Sequence, residues 1–242
     1  MRSSATFPAC DAPRREDEQQ ASVLLRWVQA SALGAVAGLL AATAFIPLIA
    51  VAVTLCMGLR EPPAYVFTLT ALLVATLVGG VIGVSQWRVL RIVVPGVKAW
   101  AWTCATLAAS MLLWTFVFMP EIVAGGIFLP GSAPSSEALG PASLVAGICL
   151  GAVLGGVFGS VQWIALRRHA KHAFWWIVGS AGAGAIALPL GFLAATYAQT
   201  QTSYWNFWVA GVFSAAFIAA LCACVTGAAL PHLRPRFTGI TA

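Results

Sequence analysis

The chain has 242 residues, 60% of them hydrophobic and only 8% charged, with a formal net charge of +6. A water-soluble domain carries roughly 25% charged residues, so this composition excludes a soluble globular fold and places the chain among integral membrane proteins. The positive balance follows membrane topology and asks for no nucleic-acid partner.

Residues 1–20 are polar, contain Pro8 and Pro13, and lack the short apolar core of a secretory signal. They are expected to form a disordered cytoplasmic tail ahead of a transmembrane domain over 21–231, with a second cytoplasmic tail over 232–242. A helix needs about 20 apolar residues to cross the hydrocarbon core. Six runs meet this, near 27–55, 64–88, 99–119, 144–166, 174–197 and 207–230. The first is overlong and contains Pro47, which predicts a kink, a tilt or a protruding end. The connection Pro120–Ser143 is the longest, and that around Tyr197–Asn206 is polar and uncharged, with Tyr204 and Trp205 at a belt position.

Twelve of the thirteen Lys and Arg fall in alternate connections: the first 26 residues, the junction with Arg88, Arg91 and Lys98, the junction with Arg167, Arg168 and Lys171, and the C-terminal end with Arg234 and Arg236. The opposite set holds only Arg60, beside Glu61, Glu121 and Glu137. The positive-inside rule then puts both termini in the cytoplasm. Arg88, Arg91, Arg167, Arg168 and Lys171 are candidates to contact anionic lipid headgroups or an acidic partner.

Three of the apolar runs carry a small residue at every fourth position. These are Ala71, Ala75, Gly79, Gly83; Gly147, Gly151, Gly155, Gly159; and Gly211, Ala215, Ala219, Ala223. Small residues at this spacing let helix backbones approach closely in a bilayer. The stretch from Gly79 to Arg91 (Gly-Gly-Val-Ile-Gly-Val-Ser-Gln-Trp-Arg-Val-Leu-Arg) matches that from Gly155 to Arg167 at an offset of 76. A degenerate third copy lies 64 further on, where Gln162 meets Thr226, Trp163 meets Gly227 and Leu166 meets Leu230. The odd-numbered runs begin at Trp27, Trp102 and Trp176. The predicted fold is therefore all-α: an integral membrane bundle of six transmembrane helices built from three parallel helical hairpins, near 27–90, 99–168 and 174–231, with pseudo-threefold arrangement the simplest closed form and a linear row the alternative. Inward-facing grooves would put the even helices near the axis; grooves could equally serve hairpin partners.

The pattern Gly-x-x-x-Gly-x-x-Gln-Trp-x-x-Leu-Arg, followed by a basic turn and an aromatic helix start, covers Gly79–Trp102 and Gly155–Ser180. It resembles that of uncharacterised bacterial integral membrane proteins common in cyanobacteria and other phototrophs. The resemblance implies a six-helix repeat protein of the bacterial inner membrane and supplies no activity. The Ile92-Val-Val-Pro-Gly turn and the proline-rich C-terminus depart from it.

Gln86, Gln162 and Thr226 sit at matching places and form a candidate polar site, either for a solute, headgroup or ion, or as hydrogen-bonding glue between helices. Trp27, Trp87, Trp102, Trp163 and Trp176 are read as interfacial anchors. His169 and His172, three apart, would share a helical face but lack further ligands nearby, so no metal site is expected. Ser180, in Gly179-Ser-Ala-Gly, is read as packing, and the cysteines as small buried thiols. No Asp, Glu or His falls within a run, so no catalytic residue and no cofactor is expected. Two functions follow. The first is a non-enzymatic structural or accessory protein, packing with itself or another membrane component through an uncovered groove. The second is a channel or carrier for a neutral or anionic small solute along the repeat axis.

Overall fold

A computed structural model describes residues 12–58, 64–123, 140–200 and 203–235. Among these residues lie six α-helices: α1 (Ala12–Met57), α2 (Ala64–Val93), α3 (Ala99–Val123), α4 (Pro141–Leu166), α5 (Trp175–Gln199) and α6 (Tyr204–Gly227). Two short strands, β1 (Ala170–Lys171) and β2 (Arg234–Pro235), pair antiparallel. They tie the segment after α6 to the turn between α4 and α5.

Local sequence accounts for most helix ends. Pro13 lies in the first turn of α1, where its missing N–H costs nothing. The Arg, Glu and Gln residues that follow are good helix formers. The helix thus begins inside the stretch expected to be a disordered tail. Gly58 ends α1 with a positive φ of 62°, its N–H bonding to the Leu55 carbonyl. Gly140 and Pro141 open α4, and Pro95 follows closely on the end of α2.

Each helix packs against its neighbours in the chain, and α6 packs back against α1, so the six close into a ring. Five helices carry stretches long and apolar enough to cross a membrane: Glu18–Ala42, Leu72–Val93, Leu144–Leu166, Trp175–Ala194 and Val209–His232. In α3 the described apolar stretch, Ala99–Leu113, is shorter. The helix α1 runs 46 residues through Pro47, about 69 Å at 1.5 Å per residue, well beyond a hydrocarbon core of about 30 Å. The outer surface is apolar all round, with Leu33 68% and Phe213 73% exposed. Such a surface is stable only in an apolar solvent. The chain is an all-α, multi-pass membrane bundle.

The small-residue seams hold neighbouring helices together. Gly79 and Gly83 face Ser110, Leu107, Thr103 and Thr106 of α3. Gly151, Gly155 and Gly159 face Gly184, Leu188, Ser180 and Ile177 of α5. A Cβ on Gly151 or Gly155 would run into the backbone carbonyls of Gly184 or Ser180, so α4 and α5 are in backbone contact. These seams join α2 to α3 and α4 to α5 rather than the even helices to one another, while Gly151 and Gly155, with Ala219 and Ala223 of α6, also border the space between the helices. The expectation of an inner ring of even helices is corrected accordingly. Among the described residues, Gly147 meets only Pro189 at an ordinary 3.7 Å and Gly211 meets nothing within 4 Å, so neither is a close-packing position there.

The densest core sits at the end of the ring where α2, α4 and α6 finish. There Leu90, Leu166 and Leu230, matched by the sequence offsets, are almost fully buried beside Val94, Val97 and Ala170.

Candidate functional site

Trp27, Trp102 and Trp176 come from three different helices and are 0%, 0% and 1% exposed. Their rings meet edge to face, with centroids 5.4 Å apart for Trp27–Trp176 and Trp102–Trp176 and 6.5 Å for Trp27–Trp102. Edge-to-face packing sets the positive ring edge against a negative face and is favourable beyond area burial. The expectation that these three anchor the bundle at the interface is corrected. They form a plug on the axis, because each helix turns its Trp toward the ring centre. Trp87 and Trp163 are half-buried at the periphery. The Arg91 guanidinium lies 5.2 Å from the Trp87 ring centre, and that of Arg167 lies 5.2 Å from Trp163. Trp87 Nε1 also donates to the Val97 carbonyl at 2.9 Å.

Polar side chains surround the plug. Gln162 Nε2 donates to Thr106 Oγ1 at 2.9 Å, and Gln162 Oε1 accepts from Trp176 Nε1 at 2.9 Å. Gln86 Nε2 donates to Ser31 Oγ at 3.1 Å. Trp27 Nε1 donates to Thr226 Oγ1 at 3.2 Å, and Thr226 donates back to the Cys222 carbonyl at 2.9 Å. The three predicted residues Gln86, Gln162 and Thr226 thus all belong to one collar. In each complete sector, a Gln from one helix bonds a hydroxyl of the preceding helix. In the Gln162 sector it also bonds the Trp of the following one.

Sequence reasoning missed Ser31 and Thr106 and read Ser180 as packing alone. Each lies four residues after one of the plug tryptophans, hence on the same helix face. That shared Trp-x-x-x-Ser/Thr spacing was the available signal. Three buried polar atoms of the collar have no partner: Gln86 Oε1, Trp102 Nε1 and Ser180 Oγ. The last follows from a sequence difference. Thr226 stands where the other two units have Gln, and its short side chain makes no bond to Ser180.

Against this collar lies a chamber of about 340 Å³, lined by residues of all six helices. Its walls are apolar or small: Ile82, Leu113, Leu154, Phe158, Leu188, Gly151, Ala187 and Ala219 among them. Its polar groups are Ser31, Gln86, Gln162, Ser180, Cys222 and Thr226. Among the described residues, no charged side chain lines it.

The basic residues sit apart from the chamber. Arg88, Arg91, Arg167, Arg168 and Lys171 are all exposed around the plugged end. His169 and His172 lie in the turns flanking β1 rather than on a helix face, His172 with φ of 57°. His232 stacks on Trp175 with ring centres 5.3 Å apart. Among the described residues, no three His, Cys, Asp or Glu gather as a metal site. Cys56, Cys104, Cys149 and Cys224 are exposed on the helix surfaces, which corrects the reading of them as buried thiols; of the described cysteines only Cys222 is half-buried, against the Ala183 carbonyl.

Comparison with protein-family models, with curated proteins and with solved structures finds no match to this chain.

Proposed function

We propose that the protein is a non-enzymatic membrane protein that holds a small uncharged molecule in a chamber on the axis of a six-helix, pseudo-threefold bundle. The chamber carries this reading. At about 340 Å³ it reaches the size range of ligand sites. Glycine and alanine line it at places where Leu would fill the space, and leaving such a volume empty forfeits dispersion contacts. The lack of charge among the described wall residues favours a neutral occupant, since an ion would lose its hydration without compensation. The plug of three tryptophans at one end fits a binding protein or an occluded carrier better than an open channel.

The architecture behind this reading is three successive hairpins of the same orientation. The matching of Trp27, Trp102 and Trp176, and of Leu90, Leu166 and Leu230, around one axis supports it. So do the repeated cation–π pairs of α2 and α4. The basic rim supports an orientation with the plugged end toward the cytoplasm of a bacterial inner membrane, Arg88, Arg91, Arg167, Arg168 and Lys171 meeting anionic headgroups. A fluorescent protein fused at the C-terminus should mature and fluoresce; a dark, translocated fusion contradicts this orientation.

The test of the function is native mass spectrometry of the detergent-extracted protein. The wild type should carry a neutral adduct that Ala219→Phe, which fills the chamber, displaces. Bare protein in both cases, with the same melting temperature, counts against a binding role. A second reading, assembly with itself or another membrane component, draws on the open side of Gly211 on α6. A higher-order band on a blue-native gel that Gly211→Leu abolishes would favour it.

A further inference from the structure

We propose that the sector between α5 and α6, where Thr226 replaces the third glutamine, seats the hydrogen-bonding head of the chamber's occupant. The occupant is then a neutral, mostly apolar molecule ending in a hydroxyl or a primary amide. This inference rests on the chamber reading above and adds the place and chemistry of recognition.

The observation is an interrupted ring. Two hydroxyls of the collar are bonded by glutamine: Ser31 by Gln86 and Thr106 by Gln162. The third, Ser180, is 5% exposed, lines the chamber and has no partner. Burying a hydroxyl without a partner is costly in an apolar setting. Thr226 has its own bonds to Trp27 and Cys222 and leaves Ser180 free. Ser180 Oγ is buried and faces Gly159 of α4; a turn of its side chain toward α6 brings it to a ligand head lying where the absent carboxamide would lie. The Ser180 hydroxyl can both donate and accept, which favours a head that does the same, as a hydroxyl or a primary amide does. The apolar side chains of Leu154, Phe158 and Leu188 line the rest of the space for the ligand's body.

The test uses the full chain in lipid nanodiscs and 3-azioctanol, a photoreactive alcohol, with labelled residues mapped by mass spectrometry. Wild-type protein should show saturable labelling of chamber residues on α4, α5 and α6. Excess 1-octanol should suppress it, and n-nonane at the same concentration should not. Thr226→Gln supplies the missing carboxamide and should weaken the labelling by about tenfold, the equivalent of one lost hydrogen bond to the head. Ser180→Ala, which only removes an orphan hydroxyl, should fold normally and weaken it by a similar factor. Unchanged half-saturation in folded Thr226→Gln overturns the proposal while leaving the chamber reading standing. If Thr226→Gln fails to fold, Ser180→Ala decides, and an unchanged half-saturation there overturns it. Absence of saturable chamber labelling in the wild type, or its persistence in Ala219→Phe, defeats the chamber reading and this inference with it.

Discussion

Gln162 and Gln86 occupy matching places in α4 and α2 but differ in what they satisfy. Gln162 is 2% exposed and bonds both Thr106 and Trp176. Gln86 bonds Ser31 alone and keeps an unpartnered oxygen. Gln162→Leu would leave a buried hydroxyl and a buried indole N–H unmade and should cost roughly 1–3 kcal/mol for the pair. Gln86→Leu trades one bond for the loss of an orphan and should cost less than about 1 kcal/mol. Thermal unfolding of both variants in one detergent checks this; equal losses would contradict the bonding pattern. The pairing was partly legible in the sequence, because Gln86, Gln162 and Thr226 fall into register by offset. The tryptophans were misread because a Trp near a helix start fits a headgroup belt as well as the mouth of a core. Only the rotation of each helix, which spacing does not encode, separates the two.

At the scale of helices, the fourfold small-residue spacing foretold close approach but not its direction. Residues four apart drift by about 40° around a helix, so such a stripe winds away from any one neighbour. Gly151, Gly155 and Gly159 stay against α5, whereas Gly147 has only a loose contact. The degenerate third copy also has a physical reason. Gly227 stands where Trp163 stands in α4, and the Leu24 side chain of α1 lies directly over it. A tryptophan there would hold α1 and α6 apart. Gly155→Ala should lower stability by about 1–3 kcal/mol through overpacking against the α5 backbone. Gly211→Ala, with open space at its Cα, should be neutral or up to about 1 kcal/mol more stable by helix propensity. Chemical denaturation of the two variants measures this, and a larger loss at Gly211 would contradict the placement of the seam.

For the whole molecule, composition and the distribution of Lys and Arg were enough to read an all-α membrane bundle. Whether its hairpins form a row or a ring was not legible, because that depends on contacts between the first helix and the last. The collar, the plug and the chamber all require closure: Trp27 of α1 bonds Thr226 of α6, and Leu24 covers Gly227. The direct measurement is cysteine cross-linking of Leu24→Cys with Gly227→Cys in a chain otherwise free of cysteine, oxidised in native membranes. A protease site inserted between residues 124 and 139 lets the two halves be cut apart afterwards. A closed ring predicts that the halves stay joined until reductant is added, within a single chain. Halves that separate without reductant, while a control pair across the α1–α2 contact forms normally, would show a row and remove the axis on which the account depends.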